Sequence, residues 1–292
     1  VIVPDSFKGS LSAEEVAISL QKGILFALPK TEVVLLPIAD GGEGTMSVLL
    51  NNANGKKYEA TVHDPLFREI KAEYVILENG ECVFEIAETS GLNLLLKEER
   101  NPFKTTTIGM GELLLAAFNS GRRNFLLGLG GSATNDCGLG ILHAFGFRFL
   151  DGDGNELSPT GESLIRIKQI SDEYIIEGVE TMQICLAVDV TNPLYGEQGA
   201  AYVFAEQKGA SKDEIKLLDE GLRNFYSVVS DFLNKDIDSD TDGFGAAGGI
   251  AFALTSFFNA KIVSGIDLIS KRVDLEKCIK EADLVISGEG KI

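Results

Sequence analysis

The chain has no tryptophan, only two histidines (His63 and His143) and four cysteines. Cys82, Cys137, Cys185 and Cys278 lie far apart with no C-x-x-C pair, and two histidines leave no room for a multi-histidine metal centre. There is also no N-x-[ST] acceptor, no signal peptide and no 18-residue apolar run. Together these absences imply free thiols and a cytoplasmic protein. A Walker A loop is missing too, because Gly55-Lys56 and Gly290-Lys291 are followed by Lys57 and Ile292 rather than by Ser or Thr. Cationic residues are scarce: 26 Lys and Arg face 44 Asp and Glu, for a net charge of −18. Such a surface repels nucleic acid and anionic membranes. It repels small anions as well, so any anion site must be made locally positive by lysines, helix termini or a bound divalent cation. The hydrophobic fraction of 45% and charged fraction of 24% are those of an ordinary globular protein, and 292 residues suffice for one large domain or two medium ones.

Residues 124–140 carry the densest information. An apolar run, Phe125 to Leu129, breaks into glycines and then into Ser132, Thr134, Asn135 and Asp136. Ile141, Leu142 and Phe145 follow with helical spacing, and Gly146 is a stop. Strand, Gly-rich turn and helix start in that order form an anion site, because glycines let a phosphate approach the backbone and a helix start offers unpaired N–H groups. Gly128, Gly130 and Ala133 also fit the G-x-G-x-x-A form of the dinucleotide fingerprint, with Asp151 and Asp153 downstream as ribose-binding acids. A tight turn without any ligand is the bland alternative.

Along the chain, the pattern predicts a strand at 1–3, a polar loop at 4–11, a helix at 13–28 and a strand at 33–38. Ser12 and Glu15 form a capping box, and Val16, Leu20, Ile24 and Leu28 make a buried stripe. β-type runs occupy 71–77 and 82–86, and the change of character places a boundary near Asp64-Pro65. A helix at 111–120, a strand at 124–129, a strand at 183–188, a capped helix at 212–234 and an apolar helix ending at Phe258 complete an α/β alternation. The chain opens in a strand-like triplet and stops on a Gly-rich loop after Leu284-Val285-Ile286, and the expectation is a fragment missing a C-terminal portion.

Polar, Gly-rich loops follow strand-like runs at 4–10, 39–45, 130–138, 189–193 and 287–291. They carry Lys8, Asp40, Glu43, Asp136, Asp189 and Glu289, which suggests acids converging beside one cation, as Mg-dependent phosphoryl transfer requires. Asp189, at the end of a buried strand, is the best base candidate. Lys8, flanked by Ser6 and Ser10, is the best clamp for a phosphate or carboxylate, and Lys208 is a second cation. Asp238, Asp240, Asp242 and Gly243 open like a calcium loop, but Gly249 stands where a bidentate Glu belongs, so this is a solvated acidic loop.

Six blocks, Pro4–Ser10, Ala39–Thr45, Gly130–Asp136, Asp189 with Asn192-Pro193-Leu194, Gln207–Ala210 and Ser287–Gly290, resemble the bacterial glycerate kinases of the first type, in order over the whole chain. The resemblance implies ATP-dependent phosphorylation of D-glycerate with Mg²⁺, the expected product being 2-phosphoglycerate. It implies two α/β domains, a Rossmann-like parallel-sheet domain with a second α/β domain inserted into it and the site in the cleft between. Composition shifts put the Rossmann-like part at 1–64 and 263–292, lacking its C-terminal part, and the insert at 65–262. Lys8 would hold the glycerate carboxylate or a phosphate, with Ser6, Asp40, Asn192 and Lys208 as further substrate contacts. Gly130, Gly131, Ser132, Ala133 and Thr134 would cradle the ATP phosphates. Asp189 would accept the hydroxyl proton, and Asp40, Glu43 or Asp136 would ligate Mg²⁺. In the family the last block continues into an Asp/Gln-containing stretch and a further Gly-Lys, before which this chain stops. Cys137 stands where the family commonly has Gly, and Phe244 interrupts a run of Gly and Ala. Two other readings stay open: an NAD-dependent oxidoreductase using the 128–133 fingerprint, and a non-catalytic sugar-acid sensor.

Overall fold

Alternate residues of the apolar runs point to opposite faces of a sheet, and here both faces are covered. A computed structural model describes residues 1–7 and 10–289. Its first elements are β1 (Ile2–Pro4), α1 (Ala13–Ala27), α2 (Thr45–Asn52), β2 (Gly55–His63), β3 (Glu69–Leu77), β4 (Cys82–Glu85) and α3 (Ala87–Ser90). The middle holds α4 (Ile108–Asn119), β5 (Asn124–Gly128), α5 (Leu139–Ala144), β6 (Arg148–Leu150), β7 (Gln169–Ser171) and β8 (Gln183–Ala187). The rest comprises α6 (Ala200–Phe204), α7 (Lys212–Leu233), α8 (Ile250–Phe258), β9 (Lys261–Val263), α9 (Gly265–Arg272), α10 (Leu275–Lys280) and β10 (Ile286–Gly288).

Six strands form the main sheet in the order β2-β3-β4-β5-β8-β9. β2, β3 and β4 pair antiparallel, whereas β4, β5, β8 and β9 run parallel. Tyr74, Phe84, Phe125, Leu127 and Leu186 enter one core with α4, α5, α7 and α8. Their neighbours Val75, Val83, Leu126 and Ala187 enter the other, with Val3, Met46 and Leu49 from β1 and α2 and Ile269 from α9. Double coverage is why the parallel strands read as unbroken apolar runs. Each such side chain contributes about 1.5–3 kcal/mol by leaving water. The fold is therefore α/β, as the alternation of patterns implied.

β1 and β10 pair parallel in a separate two-stranded sheet. The stretch expected as a strand at 33–38 runs parallel beside β1, through the bridge of Ile2 to Leu35 and the bonds from Ile2 N–H to Val34 O, Leu36 N–H to Ile2 O and Ile38 N–H to Pro4 O. α1 keeps its predicted capping box, but its stripe is covered only at one end: Val16 is buried, Leu20 and Ile24 are half-buried and Leu28 is 61% exposed. Among the described residues the sheet beneath is narrow, β10 and β1 with the 34–38 segment beside it, and covers only part of that stripe. Asp64 and Pro65, where composition shifts, form the turn of the β2–β3 hairpin, with Asp64 N–H donating to Arg68 O at 2.8 Å. β2 thus belongs with the main sheet. Among the described residues no helix is long and apolar enough to cross a membrane.

Candidate active site

The parallel strands deliver their carboxyl ends to one edge, where ligand sites of α/β sheets form. There the loop after residue 38, the turn after β5 and the segment after β8 meet around a cavity of about 290 Å³ lined by Asp40, Gly42, Gly130, Ser132, Asp189 and Lys208, among others. Glycine is required for this meeting. Gly41 has φ +89°, and a Cβ there would sit 2.9 Å from Ala187 O. A Cβ on Gly128 would collide with Gly41 O, and one on Gly130 with the Cα of Gly42. Much of the glycine in the two loops thus serves the contact of one backbone with the other.

Asp189 sits at the entrance to α9. Ser264 Oγ lies 3.1 Å from its Oδ1, and Ile266 N–H donates to both carboxylate oxygens at 3.2–3.3 Å. Gly265 passes close to both the backbone of Asp40 and the carboxylate of Asp189. Partial burial raises the Asp189 carboxyl above its ordinary value; Asp40 adds to this and the donors oppose it. Asp40 itself accepts Gly42 N–H at 2.9 Å, which shapes its loop.

Lys208 is 3% exposed and donates to Ser132 Oγ at 2.9 Å and Thr134 O at 2.6 Å. It ties the turn after β5 to the segment after α6 and leaves its remaining hydrogen-bonding capacity toward the cavity. Burial pulls its ammonium down to about 7, against the pull of the Asp136 charge. Between pH 7 and the ordinary value of 10.5 the folded chain therefore holds fewer protons here than the unfolded one, so this group's contribution to stability rises with pH. Melting curves at pH 7 and 9 should show wild type gaining on Lys208→Met by up to about 1 kcal/mol per pH unit. A difference that is flat with pH would place the amine in water.

The turn after β5 runs on to Leu139, where α5 begins, in line with the helical spacing of Ile141, Leu142 and Phe145. Ala133 and Thr134 are buried, and only Gly130, Gly131 and Ser132 of that turn reach the cavity. Asp136 sits just before α5. It is fully buried, and its carboxylate accepts Thr107 N–H and Oγ1–H at 2.8 Å and Gly138 and Gly140 N–H at 3.3 Å. The start of α5 is thus occupied by the chain's own carboxylate, which burial pushes up to about 6. This geometry does not fit the dinucleotide fingerprint, which needs a helix N-terminus facing the ligand.

The other expected residues lie apart from this cavity. Ser6 and Glu43 line a neighbouring one of about 460 Å³, shared with Lys57 and Glu85. Asn192 spends its amide on Gln198 O at 2.8 Å. Lys8 lies outside the described residues, as does Gly290. Cys137 adopts φ +50°, a conformation natural to Gly, and donates its thiol to Gly249 O. Phe244 is accommodated by an edge-on contact with Phe252, centroids 5.5 Å apart.

Among the described residues no three His, Cys, Asp or Glu side chains gather to hold a metal ion. Of the three acids named for Mg²⁺, only Asp40 lines the cavity at the carboxyl edge, with Asp189 beside it. That set still suits Mg²⁺, which commonly takes one or two protein carboxylates and completes its shell with substrate phosphates and water. Two contributors escaped sequence reasoning. Ala247 lines the cavity at φ +51°, and Glu85 holds the loop bearing Asp40. Ala247 belongs to the Gly/Ala run that Phe244 interrupts, which the sequence reading does not tie to the site, and Glu85 sits in no motif.

The model of the glycerate kinase family matches residues 1–292. The chain is 40% identical over 293 residues to the glycerate kinase of Bacillus subtilis (strain 168), covering all of this chain and 76% of that protein. It is 42% identical to the glycerate 2-kinase of Escherichia coli (strain K12), covering all of this chain and 77% of the relative. A crystal structure from Salmonella typhimurium LT2 that carries the designation glycerate kinase 2 superposes with a TM-score of 0.86 at 38% identity, over 99% of this chain and 78% of that one. With a match over its whole length and an edge-of-sheet cavity lined by acids and a buried lysine, the chain belongs to the glycerate kinase family.

Proposed function

We propose that the chain transfers the γ-phosphoryl group of ATP to a hydroxyl of D-glycerate, with Mg²⁺, to give 2-phosphoglycerate. The observation that carries this reading is the placement of Asp40, Asp189, Lys208 and the Gly130–Ser132 turn around one cavity at the carboxyl edge of the parallel strands. Phosphoryl transfer asks a protein chiefly for positioning and charge complementarity, and this set offers both. Gly130, Gly131 and Ser132 face the nucleotide phosphates. Lys208 fixes Ser132 through its Oγ, so that the hydroxyl proton points onward to a phosphate oxygen. Asp189 accepts the proton of the attacking hydroxyl. Its raised pKa brings it nearer to that task than an exposed carboxylate, while Ser264 and Ile266 hold its orientation. Asp40 would hold Mg²⁺ together with the phosphates, and the ion would neutralise their charge. Ala133, Thr134 and Asp136 act by shaping the turn. Ser6 and Glu43 line the neighbouring cavity and would serve the glycerate end, the role the family resemblance also gives Lys8.

The six-stranded sheet and the separate β1–β10 pair suggest two units, proposed as 1–54 with 264–289 and 55–263, with the cavity where they meet.

The test is ³¹P NMR of the intact protein with Mg·ATP and D-glycerate. A glycerate-dependent phosphomonoester signal is expected, split as a doublet by the single C2 proton. A triplet would mean transfer to the terminal hydroxyl. Intact ATP in the presence of folded protein would overturn the reading.

A further inference from the structure

Glu85 ends β4 inside the protein, 5% exposed, yet no part of the reaction described above uses it. Its two carboxylate oxygens accept backbone N–H groups from a segment 40 residues earlier in the chain. Oε1 takes Met46 N–H at 2.6 Å and Oε2 takes Gly44 N–H at 3.2 Å. These belong to the start of α2, whose N-cap is Gly44, in the left-handed conformation at φ +97° and without a side chain to cap anything. A carboxyl group from the main sheet thus supplies the hydrogen-bond acceptors that the start of α2 lacks.

The position matters because α2 is the exit of the loop that carries Asp40. Glu85 pairs with Gly128 across β4 and β5, and Gly128 is the residue pressed against Gly41. The loop is therefore pinned at both ends: Gly41 and Gly42 against the ends of β5 and β8, and Gly44 to Met46 against Glu85. Thr45 Oγ1–H closes the segment on itself, to Gly42 O at 2.8 Å.

We propose that Glu85 is a positioning residue for phosphoryl transfer, fixing the 39–45 loop so that Asp40 stays beside Asp189. This rests on the catalytic reading of that cavity. Glu85 acts as a hydrogen-bond acceptor for two N–H groups and contributes no charge to the reaction. A misplaced catalytic group costs on the order of 100-fold in rate, which sets the scale of the effect.

The test compares Glu85→Gln, Glu85→Asp and Glu85→Ala by kcat for glycerate-dependent ATP consumption and by amide hydrogen exchange at Gly44 and Met46. Gln keeps the length and one acceptor oxygen; Asp keeps the charge but withdraws it by one methylene. The expected order of kcat is wild type, then Gln within about 10-fold, then Asp and Ala lower by on the order of 100-fold, with the two amides exchanging faster in the same order. An active Asp variant beside an inactive Gln variant would overturn the proposal in favour of a charge role. Unchanged kcat in Ala or Asp would overturn it outright. Should Ala fail to fold, the Gln and Asp pair decides alone. The exchange measurement needs no substrate, so failure of the tether and failure of the glycerate reading are separately visible.

Discussion

Asp189→Asn is expected to lower kcat by about 10²- to 10⁴-fold, the contribution of a positioned general base. The melting temperature should stay within a few degrees of wild type. Asparagine keeps an oxygen that can accept from Ile266 N–H and Ser264 Oγ, so the entrance to α9 retains its partners. It also removes a negative charge beside Asp40, which offsets any lost hydrogen-bond strength. What it cannot do is take a proton from an alcohol. Steady-state kinetics with thermal melts by circular dichroism check both halves. A kcat within three-fold of wild type would place the base elsewhere, with Asp40 the next residue to replace.

The second large effect is on stability. Asp136→Ala is expected to cost about 3–5 kcal/mol, because it strips the acceptor from donors that no water reaches. The Thr107 N–H and hydroxyl and the Gly138 and Gly140 N–H groups would lose it together. For a chain of this size the melting temperature should fall by about 10 °C. At a temperature where the variant is folded, its Mg²⁺ dependence should match wild type. The opposite pattern, an unchanged melting temperature with a shifted Mg²⁺ requirement, would restore Asp136 to the metal role that its place in the Gly-Ser-Ala-Thr-Asn-Asp motif suggests. The prediction turns on burial: Asp136 is fully buried and does not line the cavity.

What was readable in the sequence was local or periodic. The capping box Ser12–Glu15 and the cap expected for the helix at 212–234, which is Ser211 with Glu214, involve residues three apart, and both form. The apolar runs 71–77, 82–86, 124–129 and 183–188 became β3, β4, β5 and β8, since β-type side chains and double burial leave such runs little else to be. Gly-rich loops at strand ends pointed to a site at the carboxyl edge, and the six ordered blocks pointed to the family that the comparisons established. The tertiary structure decided which of several equally plausible acids and glycines line the cavity and which are engaged elsewhere. Asp136 looks as available as Asp189 in sequence, but Thr107, 29 residues away, claims it. Glu85 looks like any strand-end glutamate until Gly44, 41 residues away, lies against it. Lys208 and Ser132 are 76 residues apart, as Asp189 and Ser264 are 75 apart. Hydrogen bonds of that span depend on how the sheet edge assembles, and no local spacing encodes them. The same holds for Gly41, Gly128 and Gly130, whose missing side chains make room for backbone that is distant in the sequence.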